Sequence, residues 1–126
     1  MARVTGVGGI FLKTSDKDRL LRFWRDALGI ETESWGGAIL SASIDPHPKP
    51  YAVLASFAAD TKYFEPSTRE MMINLRVDDL DAILARARAA GANVLERRGD
   101  TEQGRFGYVV DPDGVLIELF EPAAEP

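Results

Sequence analysis

FLKTSDKDRLL (11–21) and NLRVDDLDAIL (74–84) lie 63 residues apart, and 63 is half of the 126-residue chain. Laid one over the other, they share an extended run, an acidic capping position and the start of a helical pattern. The same offset lays YAVLASF (51–57) over GVLIELF (114–120), while Gly29 answers Gly91 at a spacing of 62. Two matches at one offset, on either side of helices that glycine ends, indicate a duplicated module. Each half reads strand, helix, then about three strands. The expected class is therefore α+β: two tandem βαβββ modules in a single domain spanning 1–126. Module 1 covers about 4–57, a linker 58–69, and module 2 about 70–122.

The helices are legible from periodicity. Leu20, Leu21, Trp24, Ala27 and Leu28 fall on one face of a helix over 17–28, with Ser15 or Asp16 as cap and Gly29 past its end. Leu80, Ile83, Leu84 and Ala87 do the same over 80–90, with Asp78 or Asp79 as cap and Gly91 as stop. Short apolar runs bounded by Gly, Pro and Asp predict strands at 7–14, 37–44, 51–57, 70–77, 92–98, 105–110 and 115–120, with a shorter one at 30–34. Asp111-Pro-Asp-Gly114 is a hairpin turn: proline presets φ, aspartate bonds locally, and glycine takes the left-handed position.

Composition excludes several function classes. There is no cysteine and one histidine, His47, so disulfide scaffolds, iron–sulfur clusters, cysteine nucleophiles and multi-histidine metal sites are out. A net charge of −5 with no basic tract argues against nucleic acid. No apolar run is long enough for a membrane span, and MARVTGVGGIFLKTSD lacks the core of a signal peptide. A cytoplasmic protein is expected.

The strand–helix units TSDKDRLLRFWRDALGI and MMINLRVDDLDAILARARAAGANV, with the terminal GRFGYVVDPDGVLIELFEP, resemble the vicinal-oxygen-chelate superfamily of glyoxalases, bleomycin-resistance proteins and ring-cleaving dioxygenases. The resemblance covers nearly the whole chain. It implies a curled, half-barrel sheet around a cavity, and a homodimer. Such proteins commonly chelate a divalent metal from the first strand of each module and the last strand of one or both. Carried over through the motifs, those positions are Gly9, Ala55, Met72 and Glu118. Only Glu118 can ligate a hard metal, and one carboxylate does not make a site that wants three or more protein ligands. No metal and no other cofactor is expected, and a divalent ion would enter only if this ligand count failed.

Alternation along the strands turns Phe11, Lys13, Val53, Ala55, Phe57, Met72, Asn74, Arg76, Leu116, Glu118 and Phe120 inward. The expected ligand-binding residues are Phe11, Val53, Phe57, Met72, Asn74, Arg76, Leu116 and Phe120. Gly9 would leave room where a metal-binding histidine otherwise stands. Ile10, Leu12, Ile73, Leu75 and Val77 would face the helices. Glu118 is the candidate catalytic residue, as a general base or as an acceptor that orients a ligand carrying a donor group. Tyr63 and Phe64 either cap the cavity or hold the linker to the domain, and Arg105 either meets an anion or forms a surface ion pair. The expected function is binding of a small molecule in an apolar cavity without a catalytic metal. The alternative is an enzyme of the glyoxalase type, a lyase, isomerase or dioxygenase that depends on a metal or uses Glu118 as base.

Overall fold

A computed structural model describes residues 2–28, 30–40 and 52–123. The loop carrying His47, the strand expected over 41–44 and Gly29 lie outside the described residues. The elements run β1 (Val4–Thr14), α1 (Lys17–Leu28), β2 (Gly37–Leu40), β3 (Ala52–Ala58), β4 (Met71–Val77), α2 (Leu80–Ala89), β5 (Asn93–Thr101), β6 (Gly104–Val110) and β7 (Leu116–Pro122). Both helices begin on aspartate: Asp16 Oδ1 accepts from the Arg19 amide at 3.0 Å, and Asp79 Oδ1 from the Ala82 amide at 3.1 Å. The strand expected at 30–34 is reduced to one bridge, Glu33 to Gly37.

The seven strands form one mixed sheet in the order β2-β3-β1-β4-β7-β6-β5. β1 pairs parallel with β3 and antiparallel with β4, and β4 pairs parallel with β7. Among the described residues β2 and β5 are open edges, and the sheet does not close into a barrel. The β6–β7 hairpin turns at Asp111–Gly114. There Asp111 Oδ1 accepts from the amides of Asp113 and Val115, and Gly114 takes φ 82°. That positive φ suits glycine and little else.

Alternation divides the apolar residues between the two sheet faces. On one face Val77 and Leu119 pack with Leu80 and Leu84 of α2, and Leu75 and Ile117 join them. On the other, Phe11, Ala55, Met72, Tyr108 and Leu116 form a core with Phe64. Phe64 belongs to the segment 58–69 expected as a linker, and it is fully buried. Ser67 Oγ of the same segment donates to the Gly114 carbonyl, and Arg69 Nη2 donates to the Asp113 carbonyl at 2.9 Å. The segment is thus fastened to the β6–β7 turn.

Ile10 departs from expectation. It was to face the helices, yet it is 44% exposed. The reason is coverage: α1 packs on β3 and α2 on β5, β6 and β7, so the central strand β1 receives little from either. Burial therefore separates positions of similar sequence character. Leu84→Ala should lower unfolding free energy by about 2–5 kcal/mol, as for other buried leucines. Val7→Thr, at a site 50% exposed, should change it by no more than about 0.5 kcal/mol. Urea denaturation of the two variants checks both.

Candidate functional site

One row of residues crosses the sheet. Val53 on β3 sits opposite Gly9 on β1, Gly9 opposite Asn74 on β4, Asn74 opposite Glu118 on β7, and Glu118 opposite Tyr108 on β6. Glu118 is 2% exposed. A carboxylate so buried must be hydrogen-bonded, and both of its oxygens are. Oε1 accepts from Asn74 Nδ2 at 2.7 Å. Oε2 accepts from the hydroxyls of Tyr108 at 2.8 Å and Tyr63 at 2.5 Å. The two phenol oxygens also lie 2.9 Å apart.

Arg97 on β5 completes the group. Its guanidinium lies 4.3 Å from the Tyr63 ring centroid and 4.1 Å from that of Tyr108. It also donates to the Tyr63 carbonyl at 2.7 Å. The cation faces the rings while the anion receives their hydroxyl tips, so each charge meets the part of the tyrosine that favours it. Burial, reinforced by the Glu118 charge, pushes the Tyr63 phenol from 10.0 up to about 12. Burial first, and Glu118 second, drive Tyr108 upward as well. Both phenols therefore stay protonated donors at neutral pH.

Beside this cluster lies a cavity of about 180 Å³. Of the residues expected to bind ligand, Phe11, Val53, Asn74, Arg76 and Phe120 line it, together with Glu118. Gly8, Gln103 and Phe106 complete the wall. Phe57, Met72 and Leu116 do not line it: Met72 and Leu116 are fully buried in the core around Phe64, and Phe57 packs against that core. The segment 58–69 covers this end of the sheet, which converts expected cavity wall into core. Gly9 does not leave room in the cavity either. A Cβ there would stand 2.5 Å from the Val53 carbonyl oxygen and 2.7 Å from Phe11 Cε1. Phe11 already fills the space.

The four family metal positions offer one oxygen-bearing side chain, and both of its oxygens are engaged by protein donors. Among the described residues no three His, Cys, Asp or Glu side chains gather into a metal-holding group. The donor set does not fit a divalent ion. Arg105 meets Asp81 at 2.8 Å in an exposed ion pair, away from the cavity wall.

The glyoxalase-like domain family matches this chain over residues 9–120. The chain belongs to that family. With it comes membership of the vicinal-oxygen-chelate superfamily. The glyoxalase-like chain is 26% identical over 118 residues to a lactoylglutathione lyase of Haemophilus influenzae, covering 87% of each protein. It is 29% identical to the methylmalonyl-CoA epimerase of Mycobacterium tuberculosis, with a TM-score of 0.62 over 96% of this chain and 90% of that one. A glyoxalase/bleomycin resistance protein/dioxygenase superfamily member from Vibrio splendidus shares the fold at 17% identity and a TM-score of 0.59, covering 96% of this chain and 99% of that one. No helix among the described residues of this glyoxalase-like chain is long and apolar enough to cross a membrane.

Sequence reasoning placed Glu118 and Asn74 but not the donors around them. Tyr108 was recoverable. The Asp111–Gly114 turn sets Val110 opposite Leu116, and two residues further along each arm Tyr108 meets Glu118. Arg97 carried no such signal.

Two outcomes follow. Tyr108→Phe should cost about 1–3 kcal/mol of stability, the range for leaving a buried acceptor short of a donor, read by denaturant unfolding. In a spectrophotometric titration Tyr63 should ionise near pH 12. Because its folded pKa is raised, its stabilising contribution is intact below pH 10 and is lost as pH climbs toward 12. Stability should fall over that window, and less so in Tyr63→Phe.

Proposed function

We propose that this protein binds a small, largely apolar molecule in the cavity beside Glu118 and does so without a catalytic metal. The observation that carries the reading is that both oxygens of the Glu118 carboxylate accept from protein donors, Asn74, Tyr63 and Tyr108. A general base needs a lone pair aimed at the substrate's proton, and a metal ligand needs one aimed at the ion. Here both carboxylate oxygens accept from protein donors, Asn74 and Tyr108 on the neighbouring strands and Tyr63 from the 58–69 segment, so Glu118 braces the cavity wall. Phe11, Val53, Phe106 and Phe120 supply the apolar surface and Asn74, Arg76 and Gln103 the polar groups, a composition suited to ligand binding. A cavity of about 150 Å³ takes a benzene ring, so 180 Å³ suits one ring with a small substituent.

We also infer that the two halves are a duplicated module around this site. β3-β1 and β7-β4 are each parallel pairs, and they abut through the antiparallel β1–β4 pair. A twofold relation between modules would produce this arrangement. The names of the relatives, lactoylglutathione lyase and methylmalonyl-CoA epimerase, favour a second reading as an enzyme. That reading requires this chain to turn over a thioester such as those the relatives are named for.

Thermal unfolding tests the binding reading. Single-ring aromatic probes at a hundredfold excess over Kd should stabilise the wild type by about 2.7 kcal/mol. They should leave Val53→Phe, whose added ring occupies the cavity, unshifted. Zn²⁺ or Ni²⁺ should shift neither. Stoichiometric metal retained after dialysis and lost in Glu118→Ala would overturn the metal-free reading, and turnover abolished by the same substitution would establish the enzyme.

A further inference from the structure

The cavity wall contains one polar atom that the protein does not satisfy. Asn74 is 4% exposed, and its Oδ1 is fully buried with no hydrogen-bond partner among the described residues. An orphaned buried acceptor costs free energy unless something donates to it. Its orientation is not arbitrary. The other end of the amide faces Glu118 Oε1 at 2.7 Å, and a carboxylate oxygen accepts but does not donate, so the NH₂ must point there. The amide oxygen is then forced to the opposite side, against Gly8 of the cavity wall.

Gly8 is the residue that lets this happen. The β1–β4 register shifts between Val7 and Gly9, so Gly8 is the extra residue of a bulge. A Cβ on Gly8 would sit 1.8 Å from Asn74 Oδ1, so any larger residue would displace the amide. Both Gly8 and Asn74 line the cavity, whose remaining wall includes the rings of Phe11, Phe106 and Phe120. Phe106 and Phe120 stack with centroids 4.8 Å apart, a flat apolar surface.

We propose that Asn74 Oδ1 is the cavity's ligand anchor, and that the ligand class is a single aromatic or heteroaromatic ring bearing one O–H or N–H donor. This rests on the small-molecule reading above and deepens it. The donor expected to meet Glu118 meets Asn74 instead, because both Glu118 oxygens already accept from protein donors while Asn74 Oδ1 has none. Glu118 and the two tyrosines act one step back, as positioning residues that hold the amide in the accepting orientation.

Phenol and fluorobenzene test the assignment, since they are nearly the same shape and only phenol donates. Binding is followed by NMR titration of the whole chain, with the ring signals of Phe106 and Phe120 as reporters. Phenol should bind the wild type about tenfold or more tighter than fluorobenzene. In a cavity with no acceptor the order reverses, because the hydroxyl gives up its water bonds without replacement. Asn74→Leu should bring the ratio to one or below. If that variant does not fold, the wild-type ratio alone decides. Equal or reversed affinities with both probes shifting Phe106 and Phe120 would overturn the Asn74 assignment and leave the binding cavity standing. So would a phenol preference that survives Asn74→Leu. Failure of both probes to shift these rings would overturn the cavity reading itself.

Discussion

Removing a carboxylate from water is so unfavourable that the surrounding structure must supply donors or the site will not form. Glu118 lies at the centre of the sheet, 2% exposed, and much of the local architecture follows from that demand. β4 delivers Asn74 on one side and β6 delivers Tyr108 on the other, each directly opposite Glu118 in the strand register. The third donor comes from a segment outside the sheet. Residues 61–67 fold back over the core, burying Phe64 and bringing the Tyr63 hydroxyl onto Oε2. Ser67 and Arg69 then fasten the segment to the β6–β7 turn.

The glycines of β1 are the counterpart of this cluster. Asn74 leans over Gly8 and Arg76 over Gly6, where a Cβ would lie 3.2 Å from Arg76 Nη2. Gly9 lets the Val53 carbonyl and the Phe11 ring approach closely. At Gly9 and Met72, where the family resemblance implies metal-binding side chains, this chain has close strand packing and a fully buried thioether. The cavity that remains is bounded by aromatic rings and a fixed amide. On the proposed reading, shape and one hydrogen bond would recognise the ligand there.

The fold was largely legible because its signals are local. Helix periodicity with aspartate caps located α1 at 17–28 and α2 from Leu80, and the Pro/Gly punctuation located the strands to within a few residues. Alternation correctly sent Leu75 and Val77 toward α2 and Asn74 and Glu118 to the opposite face. The failures were non-local. Ile10 is apolar and on the helix face, but its exposure depends on where two distant helices land. Met72 and Leu116 became core instead of cavity because Phe64, far along the chain, covers them. The third donor to Glu118 is a tyrosine 55 residues away in a segment with no periodicity. No pattern in the sequence announces such a contact.

The central claim is that Glu118 holds the site together by accepting from three neutral donors, and its sign can be measured. Glu118→Met preserves the side-chain length and removes both acceptors. If Glu118 is a structural acceptor, denaturant unfolding of this variant should show a loss of about 1–3 kcal/mol for each donor left unpaired. If instead the carboxylate is a strained functional group maintained at the expense of stability, the same variant should be as stable as wild type or more so. An unchanged or raised unfolding free energy would contradict the account.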